Sequence, residues 1–317
     1  LSFDFLCFSK GKLSVMPSGP GKDSSCILGL WSKEGDQADF IEIAHTFEKK
    51  FGKEKKLGVI HFFQALDNNE AGPDNADHFI KNVNQLIEEG YLPMITYESR
   101  YISAEENIKQ PNLYSIIEGH QDKLVGKWAQ QVRSIKGSVL VRILHEFNGD
   151  WYPWCIANND GKPELYIKAY RRIHDIFKKN GVSNAKFIWC PNSMSVPQQS
   201  WNFIMDAYPG DEYVDIAGMD IYNGAGHESF LWRSFRKEGI ENYFLLTQYL
   251  PDKPLIVCET ASRERLTTER FDQQTKGEWI AQMSETLKTD MVNVKLLTWF
   301  NEKSMFKLNS SFSSEDA

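Results

Sequence analysis

Short apolar segments recur along the chain and alternate with longer segments whose apolar residues are spaced three and four apart. The short segments are rich in β-branched and aromatic residues, which favours β-strands. Eight strands are predicted in this way, at residues 27–31, 58–63, 93–97, 139–145, 186–190, 214–219, 254–259 and 294–300.

The longer segments between these strands predict helices. One covers residues 124–135, where Leu124, Trp128 and Val132 share a face. Another covers residues 163–180, which begin with a proline and are followed by a glycine, as is typical of helix ends. Strands alternating with helices over about 270 residues predict a (β/α)8 barrel, the TIM barrel fold. A doubly wound open sheet is the alternative, but no GxGxxG motif follows any predicted strand.

The chain shows no internal repeat, low-complexity tract or linker, so residues 27–317 are predicted to form one barrel domain. Residues 1–26 are rich in Ser, Gly and Lys and form an N-terminal extension that stays unassigned. No apolar run reaches the roughly 18 residues that a transmembrane helix requires, so none is expected. The chain begins with Leu1, which we expect of a processed product.

Composition and charge narrow the possible functions. The chain has 36 basic and 43 acidic residues and a net charge of −7, which disfavours a nucleic-acid partner. Aromatic residues make up 13% of the chain, and such rings suit flat, partly apolar ligands such as sugars. The five cysteines include no CxxC pair, so no metal cluster is expected. Cys7 and Cys26 are the pair considered for a disulfide.

Residues that can carry chemistry lie at the ends of the predicted strands. In a (β/α)8 barrel the active site lies at the carboxyl ends of the strands, because the loops that follow them converge there. The residues at or just beyond these ends are Glu98, His145, Glu146, Asp220, Tyr222, Glu259 and Trp299.

Side-chain alternation along the strands predicts that two of these carboxylates meet. Arg142 and Glu146 would share one face of the fourth strand, and Val257 and Glu259 one face of the seventh, with Cys258 pointing away. If both glutamates face the barrel axis, Arg142 lies beneath them. A cation there would keep one carboxylate ionised, while apolar surroundings would raise the pKa of the other. Glycoside hydrolysis requires such a pair, one to protonate the leaving oxygen and one to attack the anomeric carbon.

At these residues the sequence resembles glycoside hydrolase family 26, which comprises endo-β-mannanases, lichenases and β-1,3-xylanases. The resemblance rests on RxxHExNGxWYPW from Arg142 to Trp154, on WCPN from Trp189 to Asn192, and on YPGDEYVDIAGMDIYN from Tyr208 to Asn223. It extends to PLIVCET and LLTWFNEKS, so the motifs follow the family order across most of residues 27–310. The separation of Glu146 and Glu259, 113 residues (259 − 146), also suits the family.

This resemblance implies a retaining double displacement that needs no cofactor or metal. Glu146 resembles the general acid/base and Glu259 the nucleophile, with carboxyl groups about 5–5.5 Å apart as retention requires. Arg142 and Tyr222 resemble the residues that orient the nucleophile. The residues to which a substrate-binding role is given are Glu98, His145, Asn148, Trp151 and Trp299. The alternative considered for Asn148 is that it braces the acid.

One departure from the family pattern leaves the glycan open. Family mannanases commonly carry a histidine in an SWH-like motif at the end of the third strand, where this chain has ITYES with Glu98. The family resemblance predicts mannan as the substrate, and this departure keeps mixed-linkage β-1,3-1,4-glucan and β-1,3-xylan open as alternatives. A non-catalytic carbohydrate-binding barrel is the alternative from another class, although binding alone needs no paired glutamates. The resemblance implies a secreted or periplasmic monomer that acts on polysaccharides or oligosaccharides, without a membrane or nucleic-acid partner.

Overall fold

The computed structural model shows a closed barrel of eight parallel strands with helices packed around it. It describes residues 3–9, 12–18, 26–32, 40–51, 57–66, 73–99, 101–102, 108–109, 111–224, 232–263 and 275–302. The strands are β1 (Phe3–Ser9), β2 (Lys12–Ser18), β3 (Ile27–Ser32), β4 (Val59–Leu66), β5 (Leu92–Ser99), β6 (Tyr101–Ile102), β7 (Ile108–Lys109), β8 (Val139–Ile143), β9 (Ala185–Trp189), β10 (Ile216–Asn223), β11 (Leu255–Ser262) and β12 (Val294–Asn301). The helices are α1 (Phe40–Phe51), α2 (Pro73–Glu88), α3 (Leu113–Ile117), α4 (Asp122–Ser134), α5 (Pro163–Lys179), α6 (Phe235–Tyr249) and α7 (Lys276–Thr289).

The barrel strands lie side by side in chain order. β3 pairs with β4, the order continues through β5, β8, β9, β10 and β11, and β12 returns to pair with β3. This arrangement confirms the predicted (β/α)8 barrel. Among the described ranges, no helix is both long and apolar enough to span a membrane.

Two apolar layers hold the barrel together. Inward side chains such as Met94, Leu140 and Ile256 fill the barrel interior. Outward side chains of the same strands pack against the helices, where Trp128 of α4 and Phe177 of α5 are completely buried. Strands covered on both faces are apolar along their length, which is why the strand segments stand out in the sequence.

Helix α5 has the predicted ends. Its first helical position is Pro163, whose missing N–H is not needed there, and Glu164 lies in the first turn. Lys178 and Lys179 lie in the last turn, where positive charge complements the helix dipole. Local sequence therefore specifies both ends of this helix.

All eight predicted barrel strands occur, but several end elsewhere than predicted. The fourth, β8, ends at Ile143 rather than at His145, because Leu144 has φ 47° and Glu146 has φ 52°. A residue with this left-handed conformation cannot continue a strand. The sixth and seventh strands, β10 and β11, run past their predicted ends to Asn223 and Ser262.

Strands β1 and β2 form a two-stranded antiparallel sheet within the N-terminal extension. The side chain of Cys7 lies outside the described residues, and Cys26 carries a free thiol in this structure. The structure therefore lends no support to the disulfide considered between them.

Candidate active site

A buried arginine organises the floor of the site. Arg142 of β8 is fully buried, and its Nη1 donates to both carboxylate oxygens of Asp220, at 2.9 and 2.8 Å. Its Nε donates to Thr96 Oγ1 at 2.7 Å, and its Nη2 donates to Oε1 of Glu259. The guanidinium thus joins residues from four strands and fixes the position of Glu259.

Glu259 is held through both of its carboxylate oxygens. The hydroxyl of Tyr222 donates to Oε2 at 2.5 Å, opposite the oxygen that accepts from Arg142. A planar cation and a phenol at fixed positions leave the carboxylate little rotational freedom. The predicted relation of Arg142 and Tyr222 to Glu259 is therefore present in the structure.

A β-bulge, not simple alternation, turns Glu259 into the barrel. Along the β10–β11 pairing, Met219 lies opposite Val257 and Asp220 opposite Glu259, so Cys258 is an extra residue. Val257 packs in the outer layer and Cys258 packs in the barrel interior, which reverses the predicted directions of both. Because the bulge inserts one residue and resets the alternation, Glu259 points inward as well.

Glu146 reaches the site from the turn after β8. Its backbone N–H donates to the carbonyl oxygen of Cys190 at 2.8 Å. Its Oε1 accepts from Asn192 Nδ2 and its Oε2 from Trp151 Nε1, both at 2.7 Å. Strand parity with Arg142, the predicted cause of its orientation, does not apply, since the left-handed φ of Glu146 lies beyond the strand.

The surroundings of Glu146 favour its protonated form. Burial raises the pKa of this carboxyl from an ordinary value of 4.5 to about 7, and the negative charge of Glu259 adds to the rise. The hydrogen bonds from Asn192 and Trp151 favour the charged form but do not offset the burial. A carboxyl with this pKa can both give and take a proton near neutral pH.

Trp151 lies beside Glu146 with much of its ring open to solvent. The side chain is 45% exposed, while its indole N–H is bound to the carboxyl. A Cβ at Gly149 would lie 2.5 Å from two indole carbons, so only glycine leaves room for this ring. The exposed indole face next to a proton donor is suited to a sugar ring.

His145 is buried beneath an aromatic cluster. Its Nε2 lies 3.1 Å from the hydroxyl of Tyr152, and its carbonyl accepts from Trp154 Nε1 at 2.8 Å. Tyr152 stacks on Trp154, with ring centroids 4.4 Å apart. Burial, followed by the charge of Arg142, holds the pKa of His145 well below its usual value. The structure thus places a neutral His145 next to the half-buried Tyr152.

Asn148, predicted to bind substrate, has no free polar atom in its side chain. Its Nδ2 donates to the carbonyl of Asn192 at 2.9 Å, and its Oδ1 accepts from the backbone N–H of Asn192 at 2.8 Å. The side chain is also completely buried. Of the two roles considered for Asn148, binding substrate and bracing the acid, these contacts fit the second: Asn148 holds Asn192, which in turn binds the carboxyl of Glu146.

Trp299 does not reach the barrel mouth. It belongs to the outer apolar layer, as does Leu297 two residues earlier on β12. The neighbouring Phe300 faces inward, where it stacks on Trp31 at a centroid distance of 3.9 Å and meets the ring of Tyr222 edge-on. The predicted sugar platform of Trp299 is corrected accordingly, since strand alternation gives the inward position to Phe300.

Three further placements complete the site. Glu98 is buried on the same face of β5 as Thr96, and its charge contributes to raising the pKa of Tyr152, although burial contributes more. Asn192 and Thr96 bind the two central charged groups directly and were assigned no role from the sequence. The sequence signals for Asn192 are its place in the WCPN motif and its position just beyond the end of β9.

Among the described residues, one group has a geometry that could hold a metal ion. The ligand atoms of Cys190, Asp220 and Cys258 lie within 4.8 Å of one another in the barrel interior. Arg142 Nη1 already binds both oxygens of Asp220 and lies 3.8 Å from Cys190 Sγ. Burial also raises the pKa of the Cys190 thiol well above its usual value. A second cation beside the guanidinium would be repelled, so these residues do not fit a metal ion.

Comparisons with known proteins identify the family. Residues 91–285 match the model of glycosyl hydrolase family 26. Endoglucanase H of Acetivibrio thermocellus is 32% identical over 98% of this chain and 32% of that protein. A mannan endo-1,4-beta-mannosidase of Bacillus subtilis is 32% identical over 38% of this chain and 33% of that protein. This chain thus spans about a third of the length of these curated relatives.

A solved structure supports the same fold. The GH26 domain of an endo-beta-mannanase/endo-beta-glucanase from Prevotella bryantii superposes with a TM-score of 0.62 at 16% identity, covering 89% of this chain and 86% of that domain. The family match spans more than half of the chain and includes Arg142, Glu146, Tyr222 and Glu259. The chain therefore belongs to glycosyl hydrolase family 26, whose members are retaining enzymes that act on O-glycosyl bonds.

Proposed function

We propose that Glu146 and Glu259 carry out a retaining double displacement on a β-glycan. Glu146 protonates the glycosidic oxygen while Glu259 attacks the anomeric carbon, which gives a covalent glycosyl-enzyme. Glu146 then removes a proton from the water that releases the sugar. This requires the carboxyl groups to lie about 5–5.5 Å apart. The raised pKa of Glu146 beside a doubly hydrogen-bonded Glu259 is the observation that carries this assignment.

The substrate that fits best is a β-glucan, cleaved internally. The relative named an endoglucanase matches 98% of this chain, whereas the mannan endo-1,4-beta-mannosidase of B. subtilis matches 38% of it. Glu98, buried on the inward face of β5, also departs from the histidine that family mannanases commonly carry there. Of the glycans considered, mixed-linkage β-1,3-1,4-glucan is the one that an endoglucanase activity matches. The first prediction from the sequence, mannan, becomes the second candidate.

A panel of polysaccharides tests the substrate. Lichenan, barley β-glucan, galactomannan, glucomannan and β-1,3-xylan are each incubated with the protein, and reducing ends and product sizes are measured. We expect the fastest release from the mixed-linkage glucans, with oligosaccharides of several sizes early in the reaction. Faster release from galactomannan would favour the mannanase instead, and single-sugar products from the start would contradict internal cleavage.

Substitutions of the two glutamates distinguish their proposed roles. We expect Glu259→Ala to abolish hydrolysis while oligosaccharide binding remains, because the covalent step is lost. Glu146→Ala should lower polysaccharide hydrolysis by about 10²- to 10⁴-fold, yet retain the first step on aryl glycosides whose leaving group needs no proton. Added azide should then yield a β-glycosyl azide from Glu146→Ala. Loss of the first step on such substrates would contradict the acid/base role.

Action on polysaccharide outside the cell follows from this proposal. A polymer of this kind does not cross a membrane, so we propose that the protein is secreted or periplasmic. We also propose that it acts as a monomer, as expected from the family resemblance. Fractionation of cells that produce the full-length protein, followed by gel filtration of the active fraction, tests both points. Activity confined to the cytosol would contradict the proposed location, and elution at twice the mass of the chain would contradict the monomer.

A further inference from the structure

A second buried histidine lies behind the arginine that holds the proposed nucleophile. His61 of β4 is almost completely buried, and its Nε2 lies 2.7 Å from Thr96 Oγ1. Thr96 Oγ1 also accepts from Nε of Arg142 at 2.7 Å. A continuous line of short hydrogen bonds therefore runs from His61 through Thr96 and Arg142 to Glu259.

The direction of each hydrogen bond in this line follows from the chemistry of the groups. A guanidinium can only donate, so Thr96 Oγ1 must act as the acceptor toward Arg142. The single hydroxyl hydrogen of Thr96 then needs an acceptor, and Nε2 of His61 is the neighbour placed to receive it. An Nε2 that accepts belongs to a neutral imidazole whose hydrogen is on Nδ1.

The surroundings of His61 favour this neutral form. Among the described residues, the titratable groups whose charge acts on His61 are Arg142 and His145. Burial holds the pKa of His61 well below its usual value of 6.5, and the positive charge of Arg142 lowers it further. A protonated ring would instead donate to Thr96 and leave the hydroxyl hydrogen of Thr96 without this acceptor.

We propose that His61 and Thr96 are positioning residues for the glycosidase reaction. Neutral His61 accepts the hydroxyl hydrogen of Thr96 and thereby turns an oxygen lone pair toward Nε of Arg142. The guanidinium is then fixed on its Nε edge by Thr96 and on Nη1 by Asp220, and its Nη2 can hold Oε1 of Glu259 in line with the anomeric carbon. This inference rests on the proposed role of Glu259 as the nucleophile.

Direct observation of the His61 ring tests the hydrogen-bond direction in the unaltered protein. Long-range ¹⁵N–¹H spectra of histidine-labelled protein distinguish the two tautomers, and the missing signal in His61→Gln assigns the resonance. We expect the Nδ1–H tautomer, unchanged between pH 5 and pH 8. An Nε2–H tautomer or an imidazolium in this range would overturn the proposal.

Kinetics of covalent trapping test the positioning role. A 2-deoxy-2-fluoro-β-glycoside with a good leaving group reacts with the nucleophile in one step, so its binding constant and its trapping rate are measured separately. We expect Thr96→Val and His61→Leu to slow trapping by about 10- to 100-fold with little change in binding, because the nucleophile is misplaced. Thr96→Ser and His61→Gln keep a hydroxyl and an acceptor, and should stay within about threefold of the parent.

A matched control separates positioning from a general loss of a buried hydroxyl. Thr298 is also completely buried in the barrel, and within the described part of the chain its hydroxyl has no hydrogen-bond partner. Thr298→Val should therefore leave trapping unchanged. If Thr96→Val lowers the melting temperature but traps as fast as the parent, Thr96 is merely structural and the proposal is overturned. If Thr96→Val does not fold, full trapping activity in His61→Leu overturns it instead.

A failure of the positioning role can be distinguished from a failure of the proposed function. If the parent protein is not trapped and cleaves none of the polysaccharides, the glycosidase assignment of Glu259 fails. If the parent is trapped on Glu259 and the His61 and Thr96 variants react equally fast, only the positioning role fails.

Discussion

At the scale of single residues, the proposed mechanism depends on the proton of Glu146. The pKa of about 7 results from burial and from the nearby charge of Glu259. As a general acid, Glu146 must carry its proton when substrate binds. We therefore expect kcat/KM to fall about tenfold per pH unit above pH 7. A pH profile on lichenan measures this, and an alkaline limb below pH 6 would contradict the assignment.

The same proton links stability to pH. The folded protein holds it more tightly than the unfolded chain, so the stabilisation is complete below about pH 4.5 and is lost as pH rises through about 7. Glu146→Gln carries no such proton. We expect it to be as stable as the parent at pH 4 and more stable by up to about 3 kcal/mol at pH 8. Urea unfolding of both proteins at each pH measures the difference, and a difference that does not change with pH would refute the linkage.

Two hydrogen-bond donors lower the pKa of Glu146, against the effect of burial. Asn192 and Trp151 each bind one oxygen of its carboxyl and favour the charged form. Asn192→Ala and Trp151→Phe each remove one donor, and we expect the alkaline limb of kcat/KM to move up by about one pH unit. Trp201→Phe, which alters a ring packed near Gly161, serves as the control and should leave the limb in place. A downward movement in either test variant would contradict this account.

At the scale of secondary structure elements, the sequence predicts the positions of the strands well. It predicts poorly which of their side chains point into the barrel. Strands buried on both faces are apolar throughout, which reveals their location in the sequence and conceals which side chains point inward. The bulge at Cys258 and the left-handed φ of Glu146 have no signature in the apolar pattern. The two glutamates were identified from their positions at predicted strand ends and in family motifs, whereas the side-chain alternation predicted around them was wrong.

The sequence also did not show which aromatic residue of β12 faces inward or what Asn148 binds, and the reason is the same. Trp299 and Phe300 are adjacent aromatic residues, and the ring contacts of Phe300 with Trp31 and Tyr222 show which one enters the barrel. Asn148 lies within a motif full of substrate-binding candidates, yet its hydrogen-bond partner Asn192 is distant in sequence. Partners of this kind depend on which loops the fold brings together, and a single sequence does not specify them.

The bulge on β11 requires a glycine on the neighbouring strand. A Cβ at Gly218 would lie 2.5 Å from Cys258 Sγ and 3.0 Å from Ile188 Cγ2, inside the packed barrel. We expect Gly218→Ala to destabilise the protein by about 1–3 kcal/mol through overpacking. In contrast, a Cβ at Gly126 of α4 would meet Asn180 Nδ2 at 4.0 Å, an ordinary contact, so Gly126→Ala should stabilise by about 0.5–1 kcal/mol. Urea unfolding compares the two, and equal effects would contradict the packing argument.

At the scale of the whole molecule, closure of the barrel creates the site. The central residues of the site come from four different strands: Thr96, Arg142, Asp220 and Glu259. The carboxyl ends of these strands converge only because the parallel sheet closes on itself. Closure depends on β3, whose two edges pair with β12 and β4. The same strand that begins the predicted barrel domain therefore holds together the first and last parts of the sheet.

This dependence gives a sharp test of the domain boundary at residue 27. Among the described strands, β1 and β2 pair only with each other, so the barrel has all of its strands without them. We expect a chain that begins at Cys26 to unfold cooperatively and to hydrolyse lichenan with unchanged kcat/KM. A chain that begins after Ser32 lacks β3, which leaves β12 and β4 as open edges, and should neither fold cooperatively nor hydrolyse substrate. Thermal melts and kinetics of both chains measure this. If the longer chain also loses activity, the N-terminal extension is part of the catalytic domain and the boundary is wrong.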